Sequence, residues 1–300
     1  GEANAIAVRI ARAYTGKDKI AVCGYHGWHD WYLAANIDKN NNLEKHLLPG
    51  LDPLGVPSDL EGTTFTFEYN NYKQLLDLVE NKKIGIIKME VIRNFEPEDN
   101  FLQKVRDLAT KKGILLIFDE CTTGFRSAFG GIHKKYKIEP DIAIFGKAIG
   151  NGYAITAVVG KKEIMESAQS TFISSTFWTE RIGPSAALAT LDAMEKIKSW
   201  EIINKIGKSI SKKIKKLALK YDLPISVYGF PSIIKFTFES ENNLAYKTLI
   251  TQEMLKKGFL ASNTIYVCID HSESILEKYF QSLEDVFKTI SECENGRNVY

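Results

Sequence analysis

Long hydrophobic runs are missing from this sequence: nothing in it approaches the roughly 20 apolar residues of a bilayer crossing. A surplus of one charge is missing too. The 39 Lys and Arg against 37 Asp and Glu leave a formal net charge of +2, which is no footprint for nucleic acid or an anionic membrane surface. Cysteine is scarce. Cys23, Cys121, Cys268 and Cys293 stand far apart with no CxxC pair, which speaks against a zinc site and a disulfide framework. No signal-peptide pattern opens the chain, so a reducing cytoplasm is the expected compartment. Internal repeats and low-complexity tracts are absent as well. Gly146-Lys147 lacks the spacer and following hydroxyl of a P-loop, and no GxGxxG marks a strand-to-helix turn.

What is present is enough apolar content, 44% of 300 residues, for one large or two ordinary domains. The chain is organised around GILLIFDECTTG (113–124) and FGKAIGNGY (145–153). Residues 114–118 are continuously apolar and read as a buried strand of a parallel sheet, ending in Asp119 and Glu120. A second strand, 141–145, runs into Gly146-Lys147. Parallel sheets bind ligands beyond the carboxyl ends of their strands, so an acid and a lysine there mark a site. An ion pair that merely caps the sheet is the alternative. Around this pair the pattern predicts a helix from the start of the chain, closed by Gly16, then strands at 20–23 and 84–89 and helices at 72–81 and 99–112. A strand at 153–160 and a helix at 162–168 follow, then helical periods over 184–221 whose lysine-rich face reads as solvated. Strand and helix alternate from 225 to 290. The Asn-, Lys- and Pro-rich stretch 36–62 reads as a surface excursion that frames a substrate entrance.

FDE-x-TTGFR at 118–126, followed by a lysine in a Gly-rich turn, resembles the class III aminotransferases, the group that holds glutamate-1-semialdehyde aminomutase. The resemblance extends from Gly1 to about Phe287. It implies an α/β, fold type I transferase dependent on pyridoxal 5'-phosphate: a mostly parallel central sheet sandwiched by helices, plus a smaller α+β carboxy-terminal domain. The expected division is 1–195 for the large, coenzyme-binding domain and 196–300 for the small one. In the family the aspartate pairs with the coenzyme's pyridinium nitrogen and the lysine forms a Schiff base with it, roles that fall on Asp119 and Lys147. An ionised carboxylate there keeps the ring protonated and electron-withdrawing, and the lysine serves as general base and acid once freed.

The rest of the expected site also follows from the resemblance. Tyr25, before His26-Gly27, matches the aromatic that lies flat on one ring face. Cys121 stands where relatives usually have Val on the other face, and it is not expected to be a nucleophile. His26 joins the coenzyme-binding set. Glu90 is a supporting acid, although Val91 follows it where the family has Pro. Gly1 matches the last residue of a phosphate-binding turn at a helix start. The first two residues of that turn are not in the sequence, so the chain is expected to be an amino-terminally truncated fragment. Thr176 matches the residue that donates to the phosphate of the partner subunit, which implies a homodimer with a shared active site; an N-capping turn is the plainer reading. Arg93 is either a fork for a substrate carboxylate or phosphate or an ordinary surface arginine. His26, His29 and Asp30 lack a separated third ligand, so no metal is expected.

The expected activity is amino transfer between a small-molecule amine donor and a keto or aldehyde acceptor. An aminomutase that moves the group within one molecule is the first alternative. A non-catalytic ligand-binding relative is the second, and an intact Asp119–Lys147 pair argues against it.

Overall fold

The structure is a computed structural model and describes residues 1–38, 42–44, 46 and 51–296. Part of the 36–62 excursion therefore lies outside the described residues. The chain divides into two compact units, Gly1–Lys196 and Ile197–Tyr300. Among the described residues no helix is long and apolar enough to cross a membrane.

Short apolar runs separated by helical segments give the first unit its alternation. Helix α1 (Glu2–Thr15) precedes β1 (Ile20–Cys23), and a single turn, α2 (Asp30–Leu33), follows it. Then come β2 (Thr64–Thr66), α3 (Tyr72–Lys82), β3 (Ile86–Glu90), α4 (Phe101–Lys112) and β4 (Leu115–Asp119). A turn of helix, α5 (His133–Tyr136), leads to β5 (Ile142–Phe145), β6 (Ala157–Gly160), the short α6 (Lys162–Met165) and α7 (Ile182–Ile197). Among the described residues the strands form one six-stranded sheet in the order β2-β1-β3-β4-β5-β6. All neighbours are parallel except β5 and β6.

Alternation along the strands sorts the side chains into rows. Val22, Lys88 and Ile117 are register partners, and Glu90 and Asp119 form the next row toward the carboxyl edge. Helix α1 covers this face: its Ala3, Ala7, Ile10 and Ala11 pack with Ile20, Val22, Ile86, Leu115 and Ile117. Ala21, Ile87, Met89, Leu116 and Phe118 alternate to the other face and are equally buried, and α3 and α4 lie against β1 and β4.

Several boundaries differ from the sequence expectation. The helix expected at 99 starts at Phe101 because Asp99 and Asn100 take φ of 48° and 56°, outside the helical region. The 153–160 strand shortens to Ala157–Gly160, since turn hydrogen bonds hold Tyr153 and Ile155. The 184–221 period is two helices, broken at Lys198 with φ 51°. Strand β2, α2 and α5 carry too few residues for a periodic signal.

In the second unit, α8 (Ser199–Lys220) leads to β7 (Ile225–Phe230) and β8 (Ile233–Phe238), then α9 (Asn243–Lys256), β9 (Thr264–Tyr266) and α10 (Glu273–Glu294). The strands form an antiparallel sheet in chain order. Ile210 and Ile214 of α8, Phe236 of β8, Tyr246 and Ile250 of α9, and Leu283 and Phe287 of α10 share one core. Strand β9 has three residues only, Thr264–Tyr266.

Candidate active site

Asp119 closes β4 at the carboxyl edge and is almost wholly buried, at 3% exposure. Its Oδ1 accepts the Cys121 N–H at 3.1 Å, and its Oδ2 lies 2.9 Å from His26 Nδ1 and 3.6 Å from Lys88 Nζ. Burial alone would raise its proton affinity. The Lys88 charge and the His26 hydrogen bond outweigh that, and hold the carboxyl well below the usual carboxylate range. His26 lies in the loop after β1, fully buried, stacked on Trp31 and edge-on to Tyr32. Burial, then the Lys88 charge, brings it down to about 4 against the pull of Asp119, so near neutrality it is a neutral ring whose Nδ1–H donates. Its Nε2 is buried and has no hydrogen-bond partner among the described residues.

Lys147 stands at the carboxyl end of the neighbouring strand, β5, just past Gly146. Its φ of 48° lies in the left-handed region, which costs a non-glycine residue about 1–2 kcal/mol per residue. The exposed side chain reaches back over the β4 turn, where Nζ donates to Thr122 Oγ1 at 2.7 Å. Gly146 makes room for this crossing: a Cβ on it would stand 3.3 Å from Cys121 Sγ and 3.2 Å from Thr156 Cγ2. Burial, then Asp119, pushes the Cys121 thiol up to about 12, so it is a packing group rather than a thiolate.

Tyr25 follows Gly24 at the carboxyl end of β1. Its N–H donates to Glu90 Oε2 at 3.0 Å, and its ring meets Tyr32 edge-on, with the Arg93 guanidinium 5.9 Å from its centre. Glu90 closes β3 beside Asp119 and pairs with Arg93 at 2.6 Å. Burial raises the Glu90 carboxyl, and Arg93 opposes it. Arg93 is thus neither a solvated surface residue nor an unpaired fork. It lines a cavity of about 200 Å³ with Tyr69 and Glu90.

Gly1 caps the start of α1 against the loop that carries His26. At Gly27, φ 102°, a Cβ would stand 2.8 Å from Gly1 Cα, so only glycine lets the helix start and the loop approach this closely. His29 stacks on Trp28. Among the described residues no group of three His, Cys, Asp or Glu side chains is placed to hold a metal ion.

The expected residues thus fall into two groups. Asp119, His26, Cys121, Glu90 and Tyr25 are tied to one another by the contacts above, and Lys147 reaches the same strand edge through Thr122. Thr176 sits apart, exposed in a single turn (Thr176–Thr179) whose cap, Ser175, accepts the Phe177 N–H. Sequence reasoning missed Lys88 and its partner Asn4, whose Oδ1 accepts from Lys88 Nζ at 2.5 Å. The available signal was a lysine between apolar residues in the strand IIKME.

Residues 1–269 match the family described as Aminotransferase class-III. The 3-aminobutyryl-CoA aminotransferase of Cloacimonas acidaminovorans is 32% identical over 307 residues, covering 96% of this chain and 70% of its own. The glutamate-1-semialdehyde 2,1-aminomutase of Wigglesworthia glossinidia brevipalpis is 32% identical over 317 residues, with coverage of 96% and 72%. Among solved structures, the FumI protein of Sphingopyxis sp. MTA144 in its PLP internal aldimine form superposes with a TM-score of 0.85 at 19% identity, over 99% of this chain and 71% of that one.

Proposed function

The chain belongs to the class III aminotransferase family, and on that premise we propose that it moves an amino group from a small-molecule amine to a keto or aldehyde acceptor, using pyridoxal 5'-phosphate held between Lys147 and Asp119. The observation that carries this reading is the pairing of a buried, ionised Asp119 with a strained, exposed Lys147 at adjacent strand ends. A structural ion pair would have no reason to keep them apart, and here each has other partners.

The residues fit the coenzyme. Asp119 supplies the anion that keeps a proton on the ring nitrogen, and the His26 N–H fixes the carboxylate from behind. Tyr25 and the neutral Cys121 thiol supply flat and compact surfaces for the two ring faces. Gly1, at the start of α1, offers backbone N–H groups and a helix dipole to the phosphate. When bound, the coenzyme supplies an electron sink for the substrate carbon whose C–H bond breaks. Lys147 Nζ would hold the coenzyme covalently and, once released, would take the proton from the amine-bearing carbon and deliver it to the coenzyme, so that the amino group can stay behind. Thr122 Oγ1 would anchor the Lys147 amine while it is released. Glu90, held by Arg93 and the Tyr25 N–H, fixes the loop that carries Tyr25.

We further propose a homodimer. Phe172, Phe177, Trp178, Ile182 and Leu188 are all exposed around Thr176 and α7, an apolar surface that a second copy would cover. Thr176 would then serve the partner's phosphate, and the protein would work in the cytoplasm.

The test is to add the aldehyde coenzyme and follow its yellow absorbance, then add candidate amines. The reading predicts loss of the yellow band with release of one keto product per amine. Turnover of a single amino-aldehyde with no added amine donor would instead establish an aminomutase. A chain that stays colourless refutes both.

A further inference from the structure

An amino group buried in the middle of a parallel sheet is expensive to ionise, and position 88 is fully buried at 0% exposure. Its neighbours in the row, Val22 and Ile117, are apolar. Lys88 therefore breaks the pattern of its strand for a reason that packing does not supply. Its ammonium has two partners: Asn4 Oδ1 of α1 at 2.5 Å and Asp119 Oδ2 at 3.6 Å. Asn4 is itself buried, so α1 brings a neutral acceptor that moors the amine without competing for its charge.

We propose that Lys88 is a positioning residue: a buried cation, moored by Asn4, that keeps Asp119 an ionised carboxylate aimed at the coenzyme's ring nitrogen. The proposal rests on the coenzyme-binding reading above and assigns a role to residues that reading does not use. Other charged or titratable groups around the amine are Glu90 on its own strand, Cys121 after β4 and, across Asp119, His26 after β1. Glu90 is matched by Arg93, Cys121 is a thiol, and His26 is a neutral donor. Lys88 is then the cation that balances Asp119. Burial weakens its hold on the proton, and Asp119 opposes that loss in part. Without Lys88, burial would act on Asp119 opposed only by the hydrogen bonds from His26 and Cys121, and the carboxyl would take up a proton at a higher pH.

Lys88→Gln tests this, since the amide keeps a donor toward Asn4 and Asp119 but no charge. Two quantities are read: the NMR titration of the His26 ring in the coenzyme-free chain, assigned with His26→Asn, and the Kd for pyridoxal 5'-phosphate against pH. A charged Lys88 predicts that the His26 midpoint rises in the variant by about one pH unit or more. Coenzyme affinity should weaken toward acid pH, by about tenfold per pH unit below the new Asp119 midpoint, and approach the parent value at pH about 8. An unchanged His26 midpoint, or an affinity loss equal at every pH, overturns the proposal. If Lys88→Gln does not fold, Lys88→Met removes the charge while suiting the apolar row of Val22 and Ile117, and the same upward His26 shift is required. A parent chain that binds no coenzyme defeats the functional reading alone, because the His26 titration still decides whether Lys88 is charged.

Discussion

Replacing Asp119 with Asn removes one charge and almost no volume, so its effect is chiefly electrostatic. The amide oxygen can keep the Cys121 N–H, the amide NH2 then faces His26 Nδ1, which must become an acceptor, and the Lys88 ammonium, 3.6 Å away, loses its anion. With an effective dielectric of about 20, a pair at that distance is worth about 5 kcal/mol, in line with the about 3–5 kcal/mol lost when one partner of a buried pair is removed. We therefore expect Asp119→Asn to destabilise the coenzyme-free chain by about 3–4 kcal/mol at pH about 6. The loss must depend on pH. Stranded without its anion, Lys88 binds its proton more weakly folded than unfolded. The unfolded variant then holds more protons, and its stability rises with pH. The gap between parent and variant narrows by up to about 1.4 kcal/mol per pH unit between the Lys88 value of the variant and the higher, though still lowered, value of the parent. Urea unfolding at several pH values, with unchanged slopes, measures this. A loss below about 1 kcal/mol, or one that does not vary with pH, would refute the reasoning.

Other expectations concern the parent site and its walls. His26 is lowered to about 4, so the unfolded chain binds more protons than the folded one between that value and the ordinary histidine range; the stability supplied by the neutral ring is complete above about pH 6.5 and drains away as pH falls toward 4. His26→Asn should flatten that limb in acid-unfolding curves. At Gly27, Ala meets both a φ of 102° and the Gly1 Cα, so Gly27→Ala should cost about 1–3 kcal/mol in urea unfolding and weaken phosphate binding by shifting the start of α1. Tyr25→Ala removes a flat contact surface; coenzyme Kd should rise by about 2–12-fold, the equivalent of about 0.5–1.5 kcal/mol for an aromatic pair, with folding little changed.

The parallel sheet was legible because buried strands such as 114–118 are unbroken apolar runs, and the acid and lysine that end two of them stand where such sheets place ligands. The start of α4 was not, since left-handed Asp99 and Asn100 look like ordinary helix-start residues in sequence. The α7–α8 break was hidden for the same reason: Lys198 is a good helix former whose left-handed turn comes from tertiary context. Within the site, Tyr25, Asp119 and Lys147 were marked by local motifs. Lys88 and Asn4 were not, because they are 84 residues apart and their pairing exists only once α1 lies across β3. Arg93 differs: its partner, Glu90, is three residues away, and it is the turn after β3 that folds the two together.

Reduction with borohydride after the chain is loaded with pyridoxal 5'-phosphate, followed by peptide mapping, tests the central claim most directly. The coenzyme should be trapped on the peptide that contains Lys147, and Lys147→Ala should leave nothing trapped. Label on a different lysine, or trapping that survives Lys147→Ala, would contradict the account.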